Sequence, residues 1–263
     1  MQNPTQKLNP KLLQDNIEQI PTRFGYGDGL VIAGKENQNV VALCADLTDS
    51  TRTSVFKKEF PDRFVEMGIT EQNMASLASG MAAVGKVPFI SSYAMFSPGR
   101  NWEQIRTTIC YNNQNVKIAG AHSGVSVGPD GATHQAIEDM AITRVIPNMV
   151  VIAPCDSIEA KKATIAAARY KGPVYIRFTR EKTPVMTTEE MPFEIGKAEI
   201  YRDGKNITII ACGPLVYEAL KAAEELAKEG IEAEVINNHT VKPMDKETIL
   251  KSVKKTGCVV TIE

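Results

Sequence analysis

Apolar runs at residues 40–45, 87–92, 116–121, 150–153 and 173–178 recur along the chain, separated by stretches of helical character. Near-continuous runs of this kind suit strands covered on both faces, as in a parallel sheet whose crossovers are helices. Helices are expected at 22–35, 71–84, 102–111, 135–143 and 156–170. The alternation therefore predicts an α/β fold, a doubly wound and mostly parallel sheet, over residues 22–180. Residues 1–21 read as an arm with one short helix at 11–20. Residues 181–197 have neither period, carry two prolines, and read as a linker. A second α/β pattern occupies 198–263, with strands at 207–212, 233–236 and 258–262 and helices at 216–229 and 245–254. It stops directly after a strand, so this smaller domain is expected to be incomplete.

The 263 residues are 43% hydrophobic and 23% charged with a formal net charge of -1, which removes any general electrostatic case for nucleic acid or an anionic membrane. No apolar run is long enough for a membrane span, and the first residues have no apolar signal core, so the expected location is cytoplasmic. The five cysteines are scattered singly, without a CxxC pair, and read as reduced thiols, not metal ligands.

One stretch concentrates the chemistry. Residues 63–67 read as a strand that passes through Gly68 into a helix beginning at Glu71, with Thr70 as its N-cap. That places a carboxylate at the carboxyl end of a strand, where open α/β sheets collect ligands. An acid in a first helical turn can also simply complement the helix dipole. His122 ends the strand at 116–121, and His134 closes the glycine-rich loop 124–134, with Asp130 between them. Two histidines and an aspartate on one crevice-edge loop are candidates for proton transfer or substrate contact. Arg180, Arg23 and Ser50 fall near the same edge and could add phosphate contacts.

Four segments together resemble a known family: Gly68-Ile-Thr-Glu-Gln-Asn-Met74, Phe89-Ile-Ser-Ser-Tyr-Ala-Met-Phe96, Gly128-Pro-Asp-Gly-Ala-Thr-His-Gln135 and Pro147-Asn-Met-Val-Val-Ile-Ala-Pro154. They look like the pyrimidine-binding domain of transketolase-type thiamin diphosphate enzymes, and in particular like the carboxy-terminal subunit of a split transketolase. The resemblance implies a partner, the amino-terminal subunit, which carries the diphosphate half of the cofactor and its Mg2+ or Ca2+. It also implies self-association at the pyrimidine domain. Gly27-Asp28-Gly29 looks like the start of the metal signature, but no asparagine pair follows at the required spacing. It reads instead as a turn or helix break, and no metal site is expected on this chain.

Carried onto this sequence, Glu71 matches the glutamate that hydrogen-bonds the cofactor's pyrimidine N1′, the catalytic contact. Tyr93 and Phe96 match aromatics that pack on the pyrimidine, and a third aromatic of the family falls at Gly99. His122, Asp130 and His134 match residues that contact the sugar and the cofactor's amino group. Arg23, Ser50 and Arg180 match the phosphate set, and Asp46 the subunit-facing aspartate near the cofactor. The implied reaction moves a two-carbon ketol unit between sugar phosphates. Alternatives are a 1-deoxy-D-xylulose-5-phosphate synthase-like chain, disfavoured by His122-Ser123, a 2-oxo-acid dehydrogenase beta-type subunit, and a non-catalytic scaffold.

Overall fold

Strand β2 (Val40–Cys44) shows why the first half folds as it does. Val41, Leu43 and Ala45 enter one core while Val40 and Ala42 enter another, so an unbroken apolar run is what a strand between two helical layers requires. The computed structural model describes Asn3 and residues 7–263; residues 1, 2 and 4–6 of the expected arm lie outside the described residues.

In chain order the first part comprises β1 (Gln19–Pro21), α1 (Thr22–Glu36), β2, α2 (Ser54–Glu59), β3 (Phe64–Glu66), α3 (Glu71–Ala83) and β4 (Val87–Tyr93). Next come α4 (Trp102–Gln104), running into a wider π turn at Ile105–Cys110, then β5 (Lys117–Ala121), α5 (Asp139–Arg144), β6 (Val150–Ile152), α6 (Ser157–Arg169), β7 (Val174–Arg177) and β8 (Lys182–Pro184). The second part comprises β9 (Glu199–Arg202), β10 (Ile207–Ala211), α7 (Leu215–Lys228), β11 (Ala233–Asn237), β12 (Thr240–Lys242), α8 (Lys246–Thr256) and β13 (Val259–Ile262).

The main sheet has seven strands in the order β12-β6-β7-β5-β4-β2-β3, parallel throughout except for the β12–β6 pair. This is the mixed α/β, mostly parallel architecture expected. The chain steps from β2 outward to β3, then returns across β2 to β4 and continues the other way. Loops leaving β2 and β4 therefore diverge, opening the crevice in which such sheets bind ligands. Helices α1 and α6 cover one face through Tyr26, Leu30, Ala160 and Ala163. Helix α3 and the Ile105–Cys110 turn cover the other through Met74, Ala78, Ile105 and Ile109. Asp156 caps α6, its carboxylate accepting the Glu159 N–H at 2.8 Å.

Several local expectations are corrected. Residues 11–20 form turns and then β1, which pairs antiparallel with β8, while Leu12 and Ile17 bury against the second sheet. Tertiary burial, with Asn9 clamped to the backbone of Val185 and Met186, outweighs the weak local helix signal. The stretch expected as a bare linker carries β8 and buries Met186 and Met191. The helix expected from residue 135 starts only at Asp139. Thr70 occupies the cap position but its hydroxyl turns back to the Met67 carbonyl (2.8 Å) and leaves α3 without a side-chain cap. Gly27-Asp28-Gly29 is neither turn nor break but the middle of α1. A Cβ on Gly25 would lie 1.8 Å from the Ser157 carbonyl oxygen, and one on Gly29 2.6 Å from that of Lys161. The glycines of α1 thus let it meet α6 backbone to backbone. Of the cysteines, Cys44, Cys110 and Cys155 are buried, Cys212 partly so, and Cys258 is exposed.

The second sheet has the order β13-β10-β11-β9, with β9 antiparallel to β11. Strand β12 leaves this part to extend the main sheet beside β6, so the two parts share a hydrogen-bonded edge.

Candidate active site

The carboxyl ends of β2, β3, β4, β5 and β7 converge on one edge, and each delivers a candidate side chain. Gly68, with φ +66°, turns the chain sharply between β3 and α3 in a conformation open to glycine. It sets Glu71 as the first residue of α3, 2% exposed. Arg100 Nη1 donates to Glu71 Oε2 at 2.8 Å, and the buried Asn101 amide donates to the Glu71 carbonyl at 3.1 Å. The Arg100 guanidinium also lies 4.8 Å from the centroid of the Phe96 ring.

Phe96 belongs to a ring cluster. It stacks with Tyr93, centroids 6.2 Å apart, and receives the edge of His134 at 5.2 Å. Tyr93, the last residue of β4, stacks closely on His122 at 4.0 Å. His122 follows β5 with φ +54°, a strained value for a non-glycine residue that the surrounding contacts hold. Arg23 Nη1 approaches His122 Nε2 at 2.8 Å and the Ser50 carbonyl at 3.1 Å. Because arginine can only donate, His122 Nε2 accepts and the neutral ring carries its proton on Nδ1. Burial, with Arg23 and then Arg180 adding like-charge repulsion, pushes the His122 pKa down to about 3. His122 is therefore a neutral polar contact at physiological pH.

These groups open into a cleft of about 370 Å³ bordered by Arg23, Ser50, His122, Asp130 and Arg180. Arg180 donates to the Val127 carbonyl (2.7 Å) and to Asp130 (3.3 Å), fixing the glycine-rich loop to the strand that ends at Arg177. Arg23 is pushed below its usual value, mainly by burial. Of the sequence candidates, Arg23, Ser50, Tyr93, His122, Asp130 and Arg180 meet in the cleft. Phe96 and His134 join them through the ring cluster, and Glu71 through Arg100. Asp46 does not border the cleft: exposed, it donates its backbone N–H to Glu66 at 2.8 Å. Sequence reasoning missed Arg100, Arg52 and Phe24. Arg52 stands two residues beyond Ser50, itself a sequence candidate, whereas no local pattern marks Arg100 as the partner of a glutamate so far away in sequence.

Among the described residues no three His, Cys, Asp or Glu side chains gather to hold a metal ion, and no helix is long and apolar enough to cross a membrane.

Residues 18–186 match the family described as transketolase, pyrimidine binding domain, and residues 196–263 match the transketolase C-terminal domain. The chain is 50% identical over 243 residues to a putative transketolase C-terminal section of Methanocaldococcus jannaschii, covering 92% of this chain and 76% of the relative. It is 41% identical to a 6-deoxy-6-sulfo-D-fructose transketolase subunit of Clostridium sp. (strain MSTE9), covering 94% and 77%, and 38% identical to human transketolase, of which it spans 40%. Among solved structures it is similar to a split gene transketolase in the form of an inactive beta4 tetramer, with 46% identity, a TM-score of 0.87, and coverage of 93% of this chain and 78% of that one. The chain belongs to the transketolase family, and its relatives place it with the carboxy-terminal subunits of split transketolases.

Proposed function

We propose that this chain is the pyrimidine-side subunit of a two-chain transketolase that moves a two-carbon ketol unit from a ketose phosphate to an aldose phosphate. The observation that carries the reading is Glu71: a buried carboxylate at a helix start, linked through Arg100 and the Phe96–Tyr93–His134 rings to a basic cleft. The family implies thiamin diphosphate, which supplies the carbanion chemistry when bound. The residues present fit its pyrimidine half, with a buried carboxylate joined through Arg100 to two stacked aromatic rings. In this reading Glu71 holds a proton at the pyrimidine N1′, and Tyr93 and Phe96 orient the ring and exclude water. His122 and His134 hydrogen-bond the sugar, joined by Asp130. Arg23, Arg180 and Ser50 hold its terminal phosphate, and Asp46 faces the partner. The diphosphate and its metal ion belong to that partner, and self-association would occur through the pyrimidine domain, where Ile69 and Val84 are 70% and 80% exposed. Two relatives are named for sugars with a terminal oxyanion, 6-deoxy-6-sulfo-D-fructose and apulose-4-phosphate, which favours the same substrate class here.

The test mixes this chain with a diphosphate-binding chain, thiamin diphosphate, Mg2+, a ketose phosphate and an aldose phosphate. Ketol transfer is expected with both chains and from neither alone. Full activity from this chain alone would overturn the two-chain reading, and product only with pyruvate as donor would assign the synthase chemistry instead.

A further inference from the structure

Three arginines border the cleft, but they are not equivalent. Arg23 divides Nη1 between the Ser50 carbonyl and His122, and Arg180 is held by the Val127 carbonyl and Asp130. Arg52 is uncommitted: among the described residues its side chain makes no hydrogen bond or ion pair, and its Nε, like that of Arg23, is buried without a partner. Its orientation is fixed by packing, since the guanidinium carbon stands 4.1 Å from the centroid of Phe24, whose ring also lies 5.9 Å from the Arg23 guanidinium.

The backbone is arranged for this residue. Arg52 has φ +66°, a left-handed conformation that costs a side-chain-bearing residue about 1 kcal/mol and that glycine would adopt freely. A Cβ on Gly27 would sit 3.0 Å from both the Cβ and the carbonyl oxygen of Arg52. The first glycine of the Gly27-Asp28-Gly29 sequence thus clears the space into which the Arg52 turn fits. Three guanidiniums face two bordering aspartates, and Asp130 is already paired with Arg180, so the cleft is short of negative charge.

We propose that Arg52 is a specificity-determining residue of this cleft, supplying the free planar fork that grips the terminal phosphate of the sugar. The inference rests on the ketol-transfer reading and extends it by a residue outside the Arg23, Ser50 and Arg180 set. An arginine stacked on an aromatic ring offers two parallel N–H donors with little further loss of freedom, which suits a tetrahedral oxyanion better than a hydroxyl. Arg52 therefore selects phosphorylated over unphosphorylated ketoses.

The isolated chain, titrated with inorganic phosphate by calorimetry, is expected to bind it, and Arg52→Met to weaken binding about tenfold or more, the scale of one charge-assisted hydrogen bond. Arg52→Lys keeps the charge but loses the fork and should fall between. Phe24→Leu, which removes the stacking ring and leaves the charge, should also weaken binding. In the two-chain enzyme Arg52→Met should raise KM for a ketose phosphate about tenfold, with kcat nearly held and KM for an unphosphorylated ketose moving far less. Phosphate binding by Arg52→Met equal to wild type, no phosphate binding by the wild type, or an equal rise in both KM values would overturn the proposal. A wild-type enzyme without ketol transfer whose phosphate binding still depends on Arg52 would instead remove the ketol reading and leave the anion site standing.

Discussion

Arg100 Nη1 lies 2.8 Å from Glu71 Oε2, yet the two side chains differ sharply in environment: Glu71 is 2% exposed and Arg100 48%. The carboxylate is desolvated while its counter-ion sits at the solvent edge. Removing the arginine leaves a buried charge unpaired, an effect smaller than for a fully buried pair because Arg100 is half screened. Arg100→Met should therefore destabilise the chain by about 1–2 kcal/mol, with less loss when Glu71→Gln is already present. Urea denaturation of the two single variants and the double variant measures the coupling, expected near 1 kcal/mol. A coupling indistinguishable from zero would mean that the pair does not form in solution.

Glu71 is also the residue on which the proposed chemistry turns. Glu71→Gln retains the shape and a hydrogen bond but cannot give up and regain a proton, and Glu71→Ala leaves neither. Both should lower kcat of the two-chain enzyme at least about a hundredfold, the ordinary scale of a lost proton-transfer contact. Circular dichroism should show that the fold is kept. Near-normal turnover by the glutamine variant would end the assignment.

What the sequence disclosed depended on how local each signal was. The β2 run and the Glu71 helix start were legible because burial on both faces and a strand-glycine-helix junction leave marks within a dozen residues. Strands β1, β8 and β12 were not, since three-residue strands owe their existence to partners far along the chain, such as Gln19 with Pro184 and Thr240 with Ile152. The same holds at the site. Most of its residues were readable from motifs, but the pairing of Arg100 with Glu71 and the stacking of Arg52 on Phe24 are tertiary facts. Gly27-Asp28-Gly29 misled for a related reason. Glycines inside a helix look like breakers until the neighbouring helix that needs their missing side chains is known.

Acid should act through two buried histidines. His239, 1% exposed and stacked on Phe193 at 4.3 Å, is lowered by burial to about 4, and His122 to about 3. Both folded-state values lie below the ordinary 6.5, so below pH 6.5 the unfolded chain binds more protons and folding weakens as pH falls, at most by about 1.4 kcal/mol per pH unit for each histidine. Above pH 6.5 neither contributes. Glu159, raised to about 7 by burial and then by Asp156, works in the opposite sense, because protonation of the folded state becomes favourable as pH drops from 7. Net stability against pH thus mixes the two, and the difference between wild type and His239→Asn isolates the histidine. That difference should change between pH 6.5 and 4.5 and stay flat from 7 to 8. In the spectrum of the native protein the His122 Cε1 proton should not titrate between pH 8 and 5.

The two kinds of glycine in this chain make a final, separable prediction. Gly25 has an ordinary helical backbone but no room, since an added Cβ would meet the Ser157 carbonyl oxygen at 1.8 Å, and a backbone atom cannot swing aside. Gly68 has room, with nothing within 4 Å of the added atom, but a φ of +66°. Gly25→Ala must push α1 and α6 apart along their whole contact and should cost about 3 kcal/mol or more, the upper range for overpacking. Gly68→Ala should cost only about 1 kcal/mol, the penalty for a left-handed backbone. It should also disturb ketol transfer, because the turn it strains delivers Glu71. Thermal and urea denaturation of the two variants should give that order. The reverse order would mean that α1 and α6 are not in backbone contact and that the cleft, whose Arg23 and Phe24 are carried by α1, is built on a looser scaffold than the helix packing implies.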